Sequence, residues 1–240
     1  MQDERSMPKE LTKKYSFSRK EFVSAMKSEY GISEPQIAYD LQKRLDMGRL
    51  IHVGWNKYIP AGDKQIYTHK YSNAAEEIVK KITEQYLDLN FQVFELIQLN
   101  DFMNHQIAHN TIFVTIENDL QDFVFDTLKG KYPGRVMFKP KIDEYYRYLQ
   151  DDQIVVGRLP SETPKGFDKP WKSRLEKIIV DVFTDKLISR IVPEGEKDAI
   201  ISGAFDSFLL DEKIMLRYAK RKGVDTRFRK ILMQYGVTNL

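Results

Sequence analysis

The sequence contains no cysteine, which excludes a disulfide framework, a thiolate metal site and a cysteine nucleophile. Long apolar runs are missing too. The stretches are as short as Ile178-Ile179-Val180, far from the roughly 20 residues that a membrane-spanning helix needs. The first residues, Met-Gln-Asp-Glu-Arg-Ser, lack the apolar core of a secretory signal. The twelve glycines are scattered, with no G-x-x-x-x-G-K-[ST] loop and no G-x-G-x-x-G, so no phosphate cradle is visible. Serine nucleophile elbows are absent as well. These absences lead to the expectation of a cytoplasmic protein that needs no cofactor or metal and is not an enzyme.

What is present is enough apolar material for a real core, at 42% hydrophobic and 12% aromatic residues. The net charge is only +3, but it is unevenly spread. Residues 1–60 carry 11 lysines and arginines against 8 acidic residues, and residues 211–240 carry 8 against 3. The centre is therefore acidic, with 19 against 24. Two basic ends around an acidic middle suit a chain whose ends approach a polyanion.

Residues 1–14 read as a polar, unpatterned arm. Ser18 with Glu21 three residues on has the spacing of a capping box, and Phe22, Met26 and Tyr30 follow as a helical stripe that Gly31 ends. Ser33 caps a second helix with Pro35 in its first turn. There Ile37, Leu41 and Leu45 recur at i, i+4, i+8, and Gly48 closes it. Two β-rich runs, Arg49–Val53 and Lys57–Pro60, then flank a Gly-Trp-Asn turn and predict a hairpin. Helix, tight turn, helix, hairpin is the outline of a winged helix-turn-helix.

A linker over 61–72 is expected to run into a strand at Gln65–Tyr71. Asn73–Leu89 reads as a long helix. Strands at Phe91–Glu95, Thr111–Glu117, Arg135–Lys139 and Gln153–Gly157 alternate with helices at Leu96–Asn104, Leu120–Lys129 and Ile142–Leu149, which predicts a mostly parallel sheet. After an extended loop at 160–170 the pattern is helical: Ser173–Arg190, Glu194–Leu209, Glu212–Lys222 and Thr226–Tyr235. The fold class is thus α+β. Residues 1–62 form a winged-helix domain, and 63–240 a larger mixed α/β domain with a helical C-terminal part.

With the leucines of the second helix turned inward, its other side carries Gln36, Tyr39, Asp40, Lys43 and Arg44. A recognition helix brings its N-terminal residues closest to the base edges of the major groove. Ser33, Gln36 and Tyr39 are therefore the candidates for reading double-stranded DNA, and Lys43 and Arg44 suit phosphates. Lys13, Lys14, Arg19 and Lys20, and Asn56 and Lys57 in the wing, would hold the backbone.

Catalytic motifs fail one by one. His105-x-x-x-His109 has Gln106 where a zinc protease carries its glutamate base. Glu117, Asp119 and Asp122 follow a strand, but the acidic-x-Lys arm of a metal-dependent nuclease appears only at Asp211-Glu212-Lys213, which opens a helix instead.

Two stretches give the chain a family likeness. Leu41-Gln-Lys-Arg-Leu45, Gly48-Arg-Leu-Ile51 and Gly54-Trp-Asn-Lys-Tyr58 in the winged-helix run, and Arg174-Leu-Glu-Lys-Ile-Ile-Val-Asp181 further on, resemble the AbiEi-type antitoxins of abortive-infection (type IV) toxin–antitoxin systems. The resemblance implies an autorepressor that binds promoter inverted repeats and neutralises a nucleotidyltransferase-like toxin encoded beside it. Leu175, Glu176 and Asp181 fall on the family's C-terminal signature. The wing departs from the family by having less glycine and arginine. Two other readings stay open: a stand-alone regulator whose α/β domain senses a small molecule, and a metal-dependent nuclease guided by the winged helix.

Overall fold

A computed structural model describes residues 5–12, 14, 16–47, 49–54, 56–60, 66–117 and 120–235, with the backbone alone for 52–54. Among these, residues 5–66 with 206–211 form one compact unit, and residues 67–205 with 212–235 form another. The chain is mixed α+β, with helices near the N-terminus and a helical C-terminal part.

The N-terminal unit contains α1 (Lys9–Thr12), β1 (Phe17–Ser18), α2 (Arg19–Tyr30), α3 (Glu34–Asp46), β2 (Leu50–Gly54) and β3 (Lys57–Pro60). The strands form one antiparallel sheet in the order β1-β3-β2. Its core gathers Leu11, Phe17, Phe22, Met26, Ile37, Leu41, Leu50 and Tyr58. Burying each large apolar side chain contributes about 1.5–3 kcal/mol. The expectation of a featureless arm over 1–14 is corrected here. Residues 9–12 are helical and Leu11 is fully buried, because one apolar residue in a short turn suffices to anchor it.

In the second unit α4 (Asn73–Gln85) precedes β4 (Phe91–Glu95), β5 (Thr111–Ile116), α5 (Gln121–Lys131), β6 (Val136–Phe138), α6 (Ile142–Arg147) and β7 (Gln153–Arg158). The sheet order is β4-β5-β7-β6, with β5, β7 and β6 parallel and β4 antiparallel. Alternation decides the faces. Phe91, Val93, Ile112, Val114, Ile116, Ile154 and Val156 pack with Ala75, Ile78 and Ile82 of α4 and Val124 and Leu128 of α5. On the other face Phe94 stacks on Phe113, and Thr111 meets the Tyr145 hydroxyl of α6 at 2.7 Å.

No strand forms over the described residues 66–71. Alternate side chains instead peg that segment to β4 and to Asp101 beyond it. Tyr67 donates to Asp101 (3.2 Å), Tyr71 donates to the Val93 carbonyl (2.9 Å), and the His69 Nε2 lies 3.4 Å from buried Glu95. Residues 61–65, the start of the expected linker, lie outside the described residues. The helix expected over Leu96–Asn104 is a 3-10 turn at Leu96–Asp101. It gives way to a loop in which the Asn100 carboxamide bonds both the amide and the carbonyl of Ile107.

The C-terminal helices are α7 (Leu175–Thr184), α8 (Ile188–Ile191), α9 (Lys197–Ser207), α10 (Glu212–Arg221) and α11 (Asp225–Gln234). The single helix expected over 173–190 is broken. Asp185 is extended at the end of α7, and its carboxylate accepts the amides of Leu187 (2.9 Å) and Ile188 (3.1 Å), which starts α8. Against α7 pack α8, α10 and α11.

Candidate nucleic-acid interface

Local chemistry sets the two helices that would face a duplex. At the start of α2 the Ser18 hydroxyl accepts the Glu21 amide (3.2 Å), and the Glu21 carboxylate accepts the Ser18 amide (2.7 Å) and a bond from Lys14 (2.9 Å). The Ser18 amide first, then Lys14, pull the Glu21 carboxyl down to about 2 against the desolvation of its site. Gly31 ends α2 at φ +62°, the left-handed cap that a side chain would strain. Two residues later Ser33 starts α3, and Lys27 pairs with Glu34 across the turn at 2.5 Å.

On α3 Ile37 and Leu41 are buried and Leu45 is partly so. Gln36 and Tyr39 are exposed, Tyr39 by 64%, and Lys43 is half-buried on the same side. These three form a continuous row that a partner can reach. Ser33 and Gln36 are joined: the Gln36 Oε1 accepts both the Ser33 amide (3.2 Å) and the Ser33 hydroxyl (3.0 Å). Bidentate bonding of Gln36 to an adenine uses that same oxygen, so such a contact must displace the cap.

Arg44 points elsewhere. Its Nη2 donates to the carbonyls of Arg5 (2.6 Å) and Ser6 (3.3 Å), while Arg5 pairs with Asp40 at 3.0 Å. Arg5 and Asp40, invisible as a pair in the sequence, thus border the candidate interface. Arg19 and Lys20 are exposed in the first turn of α2. The pairing of Ser18 with Lys57 sets the third basic residue beside them, and Asn56 is exposed at the hairpin turn with φ +56°. Lys13, Trp55 and Gly48, the residue expected to close α3, lie outside the described residues.

The residues of the other motif are interior. Every residue from Leu175 to Phe183 is buried. Asp181 accepts from Lys177 (2.8 Å), Lys222 (2.5 Å) and the Tyr218 hydroxyl (3.1 Å). Burial pushes its carboxyl up, but the two lysines outweigh burial and hold it below the ordinary carboxylate value. Burial and the adjacent Asp181 charge raise the Tyr218 phenol well above its usual value. Glu176 receives two bonds from Arg174 (3.0 and 2.5 Å), whose guanidinium lies 4.0 Å over the Phe167 ring. Lys177 with Asp181 was readable as an i,i+4 pair. Tyr218 and Lys222 had no such signal, being 37 and 41 residues away.

The two loop histidines diverge: His105 bonds Glu196 (2.6 Å) and His109 bonds Asp151 (2.7 Å). Glu117 takes the Asn90 amide at 3.4 Å, Asp122 lies in the first turn of α5, and Asp119 is outside the described residues. Among the described residues no three acidic or histidine side chains are placed to hold a metal ion, and no helix is long and apolar enough to cross a membrane.

No curated protein matches the chain. A family model described as a family of unknown function, DUF6577, matches residues 36–237, from the first turn of α3 to beyond the end of α11. Since that span takes in most of the sequence, the protein belongs to DUF6577.

Proposed function

We propose that this protein is a transcriptional regulator whose N-terminal unit binds double-stranded DNA as a winged helix. The observation that carries the reading is the accessible row Gln36–Tyr39–Lys43 on α3, together with a basic group of Arg19, Lys20 and Lys57 in the same unit. With α3 in the major groove, Tyr39 and Gln36 meet base edges and Lys43 a phosphate. The first turn of α2 approaches the backbone with Arg19 and Lys20, its amide dipoles adding to their charge. Asn56 and Lys57 follow the neighbouring phosphates from the hairpin.

The likeness to AbiEi-type antitoxins extends this to autorepression at promoter inverted repeats in the cytoplasm, and to neutralisation of a nucleotidyltransferase-like toxin by the second unit. In that reading Leu175, Glu176 and Asp181 support the unit from within, since all three are buried, and the chain does no catalysis. The test is a mobility-shift titration of the full chain on DNA from upstream of its own gene. Gln36→Ala combined with Lys43→Ala weakens the shift by about 10- to 100-fold if both contacts are made. Undiminished binding by that variant overturns the reading.

A further inference from the structure

Arg5 and Ser6 lie against the polar side of the C-terminal half of α3, while Met7 packs on the core and Pro8 is buried. Arg5 holds Asp40 through an ion pair of 3.0 Å. The Arg44 guanidinium, one turn further on, is spent on the Arg5 and Ser6 carbonyls. Ser6 also meets the Tyr30 hydroxyl of α2 at 2.7 Å, and the Lys9 amide bonds Glu29 at 3.0 Å. Buried Leu11 fixes the far end of the strap in the core.

A guanidinium held by neutral carbonyls is in a weaker setting than one facing a phosphate, because bonds between two charged partners are shorter and stronger. Among the described residues the strap alone holds the Arg44 guanidinium, and lifting the strap would leave it open to another acceptor on that flank of α3. We infer that residues 5–8 form an autoinhibitory strap on α3, which withholds Arg44 from DNA until the strap lifts. The inference rests on the DNA-binding reading of α3. It adds that the intact chain binds with one phosphate contact fewer than its surface charge allows, and that release of the strap restores it.

The experiment measures affinity for a mixed-sequence duplex by fluorescence anisotropy over a range of salt, in the full chain and in two strap-released forms. One form lacks residues 1–6 and carries Asp40→Asn, so that no acid one turn away recaptures Arg44. The other is full-length with Arg5→Ala and Asp40→Asn, which loosens the strap without shortening the chain. Released forms bind more tightly, and their log–log salt slope is steeper by about 0.9, the value for one added phosphate. Arg44→Ala removes that steepening in the released forms and leaves the slope of the intact chain unchanged.

The inference is overturned if Arg44→Ala flattens the slope of the intact chain, or if the released forms show no dependence on Arg44. A released form that binds more weakly overturns it too, making the strap a DNA contact. Failure of the underlying reading looks different: Lys43→Ala and Arg19→Ala would then leave the intact chain's affinity and slope untouched.

Discussion

Helices α3 and α7 carry polar residues at similar spacing around an apolar stripe, yet their surroundings are opposite. On α3 the residues Gln36, Tyr39 and Lys43 meet solvent, and what covers the rest is a thin strap. On α7 Lys177 and Asp181 are each less than a tenth exposed, and the helix is buried from Leu175 to Phe183. Charge balance explains how the second arrangement survives. Asp181 has two lysines and a phenol around it, and Lys222 also reaches Asp185 at 3.7 Å. Buried charges are tolerated when paired and hydrogen-bonded. One helix is therefore available to a partner, and the other ties α10 to the core of its unit.

The comparison breaks most sharply at Asp181. Asp181→Ala strands the buried Lys177 ammonium and leaves part-buried Lys222 with Asp185 alone, and it is expected to destabilise the chain by about 3–5 kcal/mol, read from urea unfolding. A loss below about 1 kcal/mol would mean that water reaches the cluster and that α7 is less enclosed than its contacts indicate. Because the folded-state carboxyl is held below its ordinary value of 3.8, its contribution is complete above that pH and is lost as the pH falls further.

A middle-sized effect belongs to the cap of α2. Ser18→Ala should lose about 1 kcal/mol in a thermal melt. The Glu21 half of the capping box contributes fully above pH 4.5 and fades as the pH falls toward about 2. In acid, the gap between wild type and Ser18→Ala narrows if the two halves act together.

The smallest effect sharpens the contrast from the other side. Lys43→Ala on the accessible face should change stability by no more than about 0.5 kcal/mol. A larger loss would give Lys43 a structural role and weaken its assignment to DNA.

Much of the architecture could be read from periodicity. Strand β4 has the expected bounds, the parallel alternation is present, and Ser18/Glu21 and Gly31 stand where caps were expected. Of the four local readings that failed, three have reasons that particular residues show. Residues 1–14 read as an unpatterned arm, but Leu11 enters a core supplied by residues far along the chain. Tyr67, His69 and Tyr71 alternate like a strand, but the two hydroxyls bond Asp101 and the Val93 carbonyl, and His69 lies beside Glu95, in place of a ladder. Asp185 sits in a helical pattern, yet its carboxylate bonds the next two free amides and divides the helix. At the candidate interface, Gln36, Tyr39 and Lys43 could be named because exposure on a surface helix follows from where its leucines lie. The commitment of Arg44 to the strap could not, since its partners are backbone carbonyls 38 and 39 residues away.

The order of elements, the capped helices and the identity of the inward stripes followed from the sequence itself, because each depends on residues within a few positions of one another. Tertiary structure alone decided which polar residues stay in water and which are sealed in. That choice depends on partners such as Tyr218 and Lys222 for Asp181, or Arg5 for Asp40, which only folding brings within hydrogen-bond reach.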